Sequence, residues 1–128
     1  MLSFVLAQER LAPRQLIRSK KSRHNQCPNQ CTWSLFGQEI QGTQYGENFG
    51  VSVSLSKSGF VLAIGAERYN RMGRVQVYYR DRSLNKWVQH GNDLLGTEEW
   101  FGTSVDLTAD GNRLVVGSWK QPGSVYVY

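Results

Sequence analysis

Proline and cysteine are scarce in this chain, which has three prolines and two cysteines among its 128 residues. So little proline, together with 40% hydrophobic residues and thirteen glycines, argues against a disordered chain and indicates a globular one. The length is sufficient for one ordinary domain whose core needs no disulfide or metal to hold it. We therefore expect one globular module stabilised mainly by hydrophobic burial.

Acidic residues are few near the N-terminus, and this local scarcity accounts for the net charge of +5. Residues 1–24 contain six of the fifteen basic residues but one of the ten acidic residues, so the rest of the chain carries nine of each. Nucleic-acid binding requires Lys and Arg clustered on the binding surface. Because the remainder of the chain is neutral, we expect no nucleic-acid partner for it.

Long hydrophobic runs are missing from this basic N-terminal segment. Its apolar stretch, Leu2–Ala7, is too short for a transmembrane helix, and no positive residue precedes it as in a secretory signal. We therefore expect no membrane span. The Arg-rich composition is compatible with an organelle transit peptide, but we favour a poorly ordered leader over residues 1–32 that lies outside the fold.

The two cysteines lie close together, in the stretch "CPNQC" from Cys27 to Cys31. With His24 they give the spacing H-x2-C-x3-C, which offers three ligands where a structural zinc site needs four. A local disulfide or a pair of free thiols is favoured over metal binding. The sequence leaves these alternatives open, and with them the redox compartment.

The most informative pattern is an internal repeat. The stretch "FGVSVSLSKSGFVLAIGA" (residues 49–66) recurs as "FGTSVDLTADGNRLVVGS" (residues 101–118). Alternating apolar and polar residues and Gly-containing turns predict four antiparallel strands in the first copy, the outline of a β-propeller blade. These strands are Val51–Ser56, Phe60–Ala66, Arg74–Arg80 and Lys86–Gly91. The second copy predicts three more, Thr103–Thr108, Arg113–Ser118 and Ser124–Tyr128.

The second copy lacks a fourth strand, and a matching stretch occurs before the first copy. "WSLFGQEIQG" (residues 33–42) is similar to "WVQHGNDLLG" (residues 87–96), which predicts an orphan outer strand over residues 33–38. We expect residues 33–128 to form an all-β module of about two four-stranded antiparallel blades, with repeats at about 43–96 and 97–128. Two blades are too few for a closed propeller, so the ring would be incomplete.

The pairing of "FGVSVSL" with "LAIGA", and of "FGTSVDL" with "LVVGS", resembles FG-GAP repeats, the blades of integrin-α-like β-propellers. The resemblance covers roughly residues 33–128, and it implies a noncatalytic binding or adhesion module at the cell surface or outside the cell. The family's Gly-Ala-Pro triplet is altered here, to Gly65-Ala66-Glu67 and Gly117-Ser118-Trp119. The stretch "LTADGNRLVVGS" is also similar to the strand turn of Trp-Asp repeat propellers, but no Trp-Asp pair ends the third strands.

Many blades of this family carry a calcium loop of the form D-x-D-x-D-G-x-x-D, and the chain departs from it. The first copy has serine at the acidic positions, and the second keeps Asp106 and Asp110 but has Leu114 in place of the last aspartate. Calcium requires six or more oxygen ligands, with several carboxylates for useful affinity. We therefore expect no metal site and no cofactor.

Catalytic motifs such as G-x-S-x-G, H-E-x-x-H and the P-loop do not occur in the sequence. His90 is the only histidine within the repeats, and an isolated histidine in an outer strand is more often a surface residue than a catalytic one. We expect no enzyme. A hydrolase or lyase on a propeller scaffold that uses His90 is the least favoured alternative.

Loops at one end of the predicted blades are rich in aromatic residues, Arg and Asn, which are frequent in interfaces. We predict that this end binds a protein or glycan partner, whereas Trp100, beside Phe101, is expected to pack between blades. The alternative is a structural part that completes a larger propeller or a homo-oligomeric one by head-to-tail addition. The candidate binding residues are Tyr45, Asn48, Tyr69, Arg71, Glu98 and Trp119.

Overall fold

The computed structural model describes residues 32–128, and the predictions about the leader, His24, Cys27 and Cys31 concern residues outside this range. Residues 49–95 form a first antiparallel sheet, in which β1 to β4 lie in sequence order and β5 also pairs with β3. A single 3-10 turn, Tyr69–Arg71, connects β2 to β3. The strands are β1 (Phe49–Leu55), β2 (Val61–Ala66), β3 (Arg74–Asp81), β4 (Lys86–Gln89) and β5 (Leu94–Leu95).

Residues 101–127 form a second antiparallel sheet of three strands, in the order β6 (Phe101–Leu107), β7 (Leu114–Ser118) and β8 (Ser124–Val127). The all-β prediction is confirmed, and each of the seven strands predicted within the repeats is present with its ends shifted by a few residues. Within residues 32–128, which the structure describes, no helix is both long enough and apolar enough to span a membrane.

The fourth strand of the first sheet is interrupted, which the sequence did not predict. β4 pairs with Tyr78–Asp81 at one end of β3, and β5 pairs with Arg74 and Val75 at the other. Between β4 and β5 the amide of His90 donates to the carbonyl oxygen of Val77 at 2.7 Å. Residues 91–93 then leave the ladder, so that the Asp93 side chain reaches across β3 toward Arg74.

The prediction of an orphan strand over residues 33–38 is wrong, because no strand forms there. Gly37 has a φ of +94°, which interrupts the extended backbone. The Gln38 side chain instead binds the backbone of Trp87 in β4, accepting from its amide at 2.8 Å and donating to its carbonyl oxygen at 2.7 Å. Residues 36–38 therefore lie beside the outer edge of the first sheet, where the Gln38 side chain satisfies the backbone hydrogen-bonding groups of Trp87.

Both repeats share a bulge at the start of their first strand. The pairing register shifts after Phe49 in β1 and after Phe101 in β6. The glycines that follow, Gly50 and Gly102, have φ values of +86° and +85°, a conformation that other residues adopt only with strain. The backbone geometry of the bulge therefore favours the glycine of each Phe-Gly pair.

The two sheets pack face to face around one core. We call the side of each sheet that carries Val53 in β1, or Val105 in β6, its front face, and the opposite side its back face. The front face of the second sheet packs against the back face of the first. The back face contributes Ala63, Val75 and Val77, and the front face contributes Val105, Leu107, Leu114 and Val116.

Polar contacts fix the register of the two sheets. The Ser52 hydroxyl in β1 donates to the carbonyl oxygen of Gly102 in β6 at 2.6 Å, and the Leu107 amide donates to the Ser54 hydroxyl at 3.0 Å. Gly65 makes the close approach possible, because a Cβ there would overlap the Gly102 carbonyl oxygen. A small residue in β2 thus allows the backbone of the second repeat to rest directly on the first.

Candidate ligand-binding loop face

Four loops meet at one end of the two sheets: residues 43–48, 67–73, 96–100 and 119–123, which we call the loop face. The Arg68 amide donates to the carbonyl oxygen of Glu47 at 3.1 Å, and the Ser118 hydroxyl donates to that of Glu99 at 2.9 Å. Gly73 forms a backbone bridge with Phe101. The loops of both repeats are therefore fixed to one another through backbone and side-chain contacts.

A groove of about 390 Å³ lies on the loop face between the two repeats. Trp100, which has a φ of +67°, forms one wall of the groove and is half-buried. The Arg68 guanidinium lies 5.2 Å from the centre of the Trp100 ring, and Trp119 packs edge-on against the same ring at 5.5 Å. The residues lining the groove are Glu67, Arg68, Arg71, Glu99 and Trp100.

The structure brings only some of the candidate binding residues to this groove. Arg71 lines it, and Trp119 extends the aromatic surface of Trp100 while remaining exposed. The Asn48 amide donates to the Glu67 carboxylate at 3.0 Å, so Asn48 orients a group that faces the groove. Trp100 packs between the repeats, as expected, and its ring also lines the groove.

Three other candidate residues lie elsewhere on the loop face. Tyr69 is half-buried, with its ring stacked on the Arg74 guanidinium at 4.0 Å. Tyr45 is fully exposed at the tip of the loop before β1, and Glu98 is half-buried in the loop before β6. The position of Tyr69 suits a role in supporting the loop, because its ring covers a buried cation.

Sequence reasoning missed three groove residues, Glu67, Arg68 and Glu99. Glu67 directly follows β2 and is largely buried, and Arg68 forms a 3.9 Å ion pair with it. Alignment of the two repeats could have indicated Glu67, because it occupies the same position after the second strand as the candidate residue Trp119. Both of these positions lie next to Trp100 in the folded protein.

A buried charge network supports the loop face from below. The Arg74 guanidinium forms a 2.9 Å ion pair with the Glu47 carboxylate, and it donates hydrogen bonds to the Asp93 carboxylate and the Thr43 hydroxyl at 2.9 Å each. Glu47 in turn accepts from the amides of Thr43 and Gln44. One cation thus holds the loop before β1, the strand β3 and the segment between β4 and β5 together.

The pKa values of two groups in this network are shifted. Burial acts to raise the pKa of the Asp93 carboxyl, but hydrogen bonds from Gln76, Arg74 and Gln89, with the Arg74 charge, outweigh it and hold this pKa below its ordinary value. Burial raises the pKa of Tyr78, whose hydroxyl donates to Gln76 at 2.9 Å. The network therefore favours an ionised Asp93 and a neutral Tyr78.

The remaining candidate residues for chemistry lie away from the groove. Asp106 accepts a hydrogen bond from the Ser54 hydroxyl at 3.1 Å, whereas Asp110 accepts from Thr108 and Asn112 within its own turn. The Thr108 hydroxyl and the Asn112 amide lower the pKa of Asp110. Across residues 32–128 no cluster of three His, Cys, Asp or Glu side chains is placed to hold a metal ion. His90 is exposed and packs edge-on against Tyr79 at 5.9 Å.

The fold and the groove define a class of protein: an all-β chain of two repeated antiparallel sheets with an aromatic and charged groove between their loops. Comparison with models of known protein families gives no match to the chain. A search of curated proteins by sequence gives none either.

Proposed function

We propose that the chain is a noncatalytic binding module built from propeller-type blades of the FG-GAP kind, and that its groove receives a protein or glycan ligand. The carrying observation is that Trp100 lies in the groove between charged residues of both repeats, with Trp119 against it. Aromatic rings beside arginine are the side chains that most often dominate binding energy. The Phe-Gly bulge in each repeat supports the family resemblance.

The chemistry of the groove fits a ligand that has both an apolar surface and polar groups. The Trp100 and Trp119 rings can stack on a sugar ring or on an aliphatic or aromatic side chain. Arg68 and Arg71 can donate to hydroxyl or carboxylate oxygens, and Glu67 and Glu99 can accept hydrogen bonds at the opposite side. Because both signs of charge line the groove, the ligand need not be strongly charged.

Binding can be tested by screening the full chain against panels of defined oligosaccharides and of peptides, with Trp fluorescence as a second readout. For any ligand found, Arg71→Ala and Trp119→Ala should each weaken binding about tenfold or more, because Arg71 lines the groove and Trp119 extends the aromatic surface beside it. Arg113→Ala and Leu84→Ala serve as matched controls, since both side chains are exposed in turns of the opposite end. Equal affinity of the groove and control variants would exclude this groove as the binding site.

A further inference from the structure

The contact between the two sheets is built from positions that repeat along the chain. Ala63, Val75 and Val77 on the back face of the first sheet correspond to Val115, Val125 and Val127 on the back face of the second. Val53 and Leu55 on the front face of β1 likewise correspond to Val105 and Leu107 on the front face of β6. Each repeat therefore carries both halves of the same interface.

In each sheet, one of these two interface surfaces is buried within the chain and the other is exposed. Val75 is fully buried in the core, whereas its counterpart Val125 is 72% exposed, and Val127 is 69% exposed. Val105 and Leu107 pack against the core, whereas their counterparts Val53 and Leu55 are 62% and 55% exposed. Soluble proteins seldom leave such contiguous apolar strips uncovered.

The backbone of the exposed back face also matches that of the buried one. Gly123 has a φ of +87°, as Gly73 has +88° at the site where it meets Phe101. Gly117 is positioned as Gly65 is, and a Cβ on it would overlap the Ser104 hydroxyl. The second sheet thus keeps the small residues that let the backbone of another repeat approach.

We propose that a second copy of this chain docks head to tail, with the front face of its β1 on the back face of the second sheet of the first copy. Val53 and Leu55 of the second copy would then pack on Val125 and Val127. Ser104 would donate to the carbonyl oxygen of Gly50 in the second copy, as Ser52 does to Gly102 within the chain. This inference does not rest on the proposed function, although Trp119 lies beside both surfaces.

The polar partners of this interface are complementary as well. Within the chain the Ser54 hydroxyl, on the first repeat, donates to the Asp106 carboxylate on the second. In the docked pair Asp106 lies on the receiving face and Ser54 on the incoming strand, so the carboxylate again faces a serine. If residue 54 were acidic like its counterpart Asp106, two negative charges would lie opposite each other, which is unfavourable.

The interface is heterologous, so each copy uses a different surface on its two neighbours. Such contacts produce a closed ring when the rotation per copy divides the circle. Each copy contributes two sheets, and rings of two to four copies would hold four to eight sheets, the range of about four to eight blades found in propellers.

Sedimentation velocity of the full chain between about 1 and 100 µM tests the proposal, and we expect oligomers. Val53→Lys and Val125→Lys each place a charge in one half of the interface and should each weaken self-association at least tenfold. Leu84→Lys, exposed in the β3–β4 turn and outside both faces, is the matched control and should assemble as the wild type does. Circular dichroism verifies that each variant is folded, and Val125→Thr replaces Val125→Lys if that variant unfolds.

An equimolar mixture of Val53→Lys and Val125→Lys distinguishes head-to-tail docking from other association. Each variant retains one intact half, so the mixture should form heterodimers that grow no further. A monomeric wild type at 100 µM would overturn the proposal in favour of a matching repeat in another chain as the occupant. Assembly unaffected by either lysine, or a mixture that stays monomeric, would also overturn it.

Discussion

Arg74 carries a full charge in a side chain that is 2% exposed, and the fold compensates for this burial. A buried cation is tolerated only when anions and hydrogen-bond acceptors surround it. Glu47, Asp93 and Thr43 supply these acceptors, and the Tyr69 ring covers the guanidinium. At the scale of single residues, the loop face therefore depends on charges that lie beneath it.

Asp93→Asn should lower the stability at neutral pH by about 1–2 kcal/mol, a figure reduced for the partial exposure of this side chain. The new amide would direct an N–H group at donors from Arg74, Gln76 or Gln89. Because the folded pKa of Asp93 lies below the ordinary 3.8, the carboxylate contributes stability above that value. This contribution is lost as the pH falls through the folded pKa.

Urea unfolding of wild type and Asp93→Asn at pH 7, 5 and 3 measures this effect. The difference between the two proteins should be large at pH 7 and 5 and should shrink at pH 3, which lies below the ordinary pKa of 3.8 at which the unfolded carboxyl takes up a proton. Glu39→Gln, which changes an exposed carboxylate, should alter the stability by no more than about 0.5 kcal/mol. A difference that is constant over this pH range would contradict the assigned role of Asp93.

At the scale of elements, the Phe-Gly bulges of β1 and β6 have the same geometry but different surroundings. A Cβ at Gly50 would meet nothing within 4 Å, whereas a Cβ at Gly102 would lie 2.7 Å from the carbonyl oxygen of Arg74 and 3.0 Å from Val75. The β6 bulge rests on the first sheet, while the β1 bulge faces open space. Alanine substitutions at Gly50 and at Gly102 therefore distinguish the cost of backbone strain from the cost of disturbed packing between the sheets.

Gly50→Ala should destabilise the chain by about 1–2 kcal/mol, the cost of a left-handed conformation for a residue with a Cβ. Gly102→Ala should lower the free energy of unfolding by at least about 1 kcal/mol more than Gly50→Ala does, because its Cβ also pushes the second sheet away from the first. Unfolding by urea at low micromolar concentration provides both values. Equal losses in the two variants would mean that the close approach of β6 to β3 contributes little.

At the scale of the whole molecule, the loop face and the exposed back face meet at Trp119. Its ring packs against Trp100 beside the groove, and it also lines a hollow of about 570 Å³ with Ser104, Gly117 and Val125. The two proposed interactions therefore share one residue, although their other residues are separate. Substitutions can be chosen that affect one interaction, the other or both.

Three variants should separate the two interactions. We expect Arg71→Ala to weaken ligand binding alone, Val125→Lys to weaken self-association alone, and Trp119→Ala to weaken both, because Trp119 packs against Trp100 beside the groove and also lines the hollow on the back face. Sedimentation velocity and ligand titration on the same preparations measure the two effects. Loss of self-association in Arg71→Ala would show that the two surfaces are not separate in the way the structure indicates.

Much of the fold could be predicted because its causes are local. Alternating residues such as Val51–Leu55 form a strand whatever they pack against, and turns containing Gly59 or Gly111 follow from backbone freedom. The repeat itself predicted two similar sheets. The surroundings of the candidate binding residues were harder to predict, since Tyr69 and Trp119 look alike in sequence, yet one covers a buried arginine and the other remains exposed.

The sequence by itself determined the seven strands within the repeats and their division into two similar antiparallel sheets, since these depend on side-chain periodicity and on the conformational range of glycine in turns. Only the tertiary structure decided that residues 33–38 form no strand, that the fourth strand breaks before Asp93, and that Glu67 and Arg68 meet Trp100. The first depends on the contact of Gln38 with Trp87, the second on where the charge of Arg74 is neutralised, and the third on how closely Gly65 lets β6 approach. All three are long-range contacts, which no local pattern encodes.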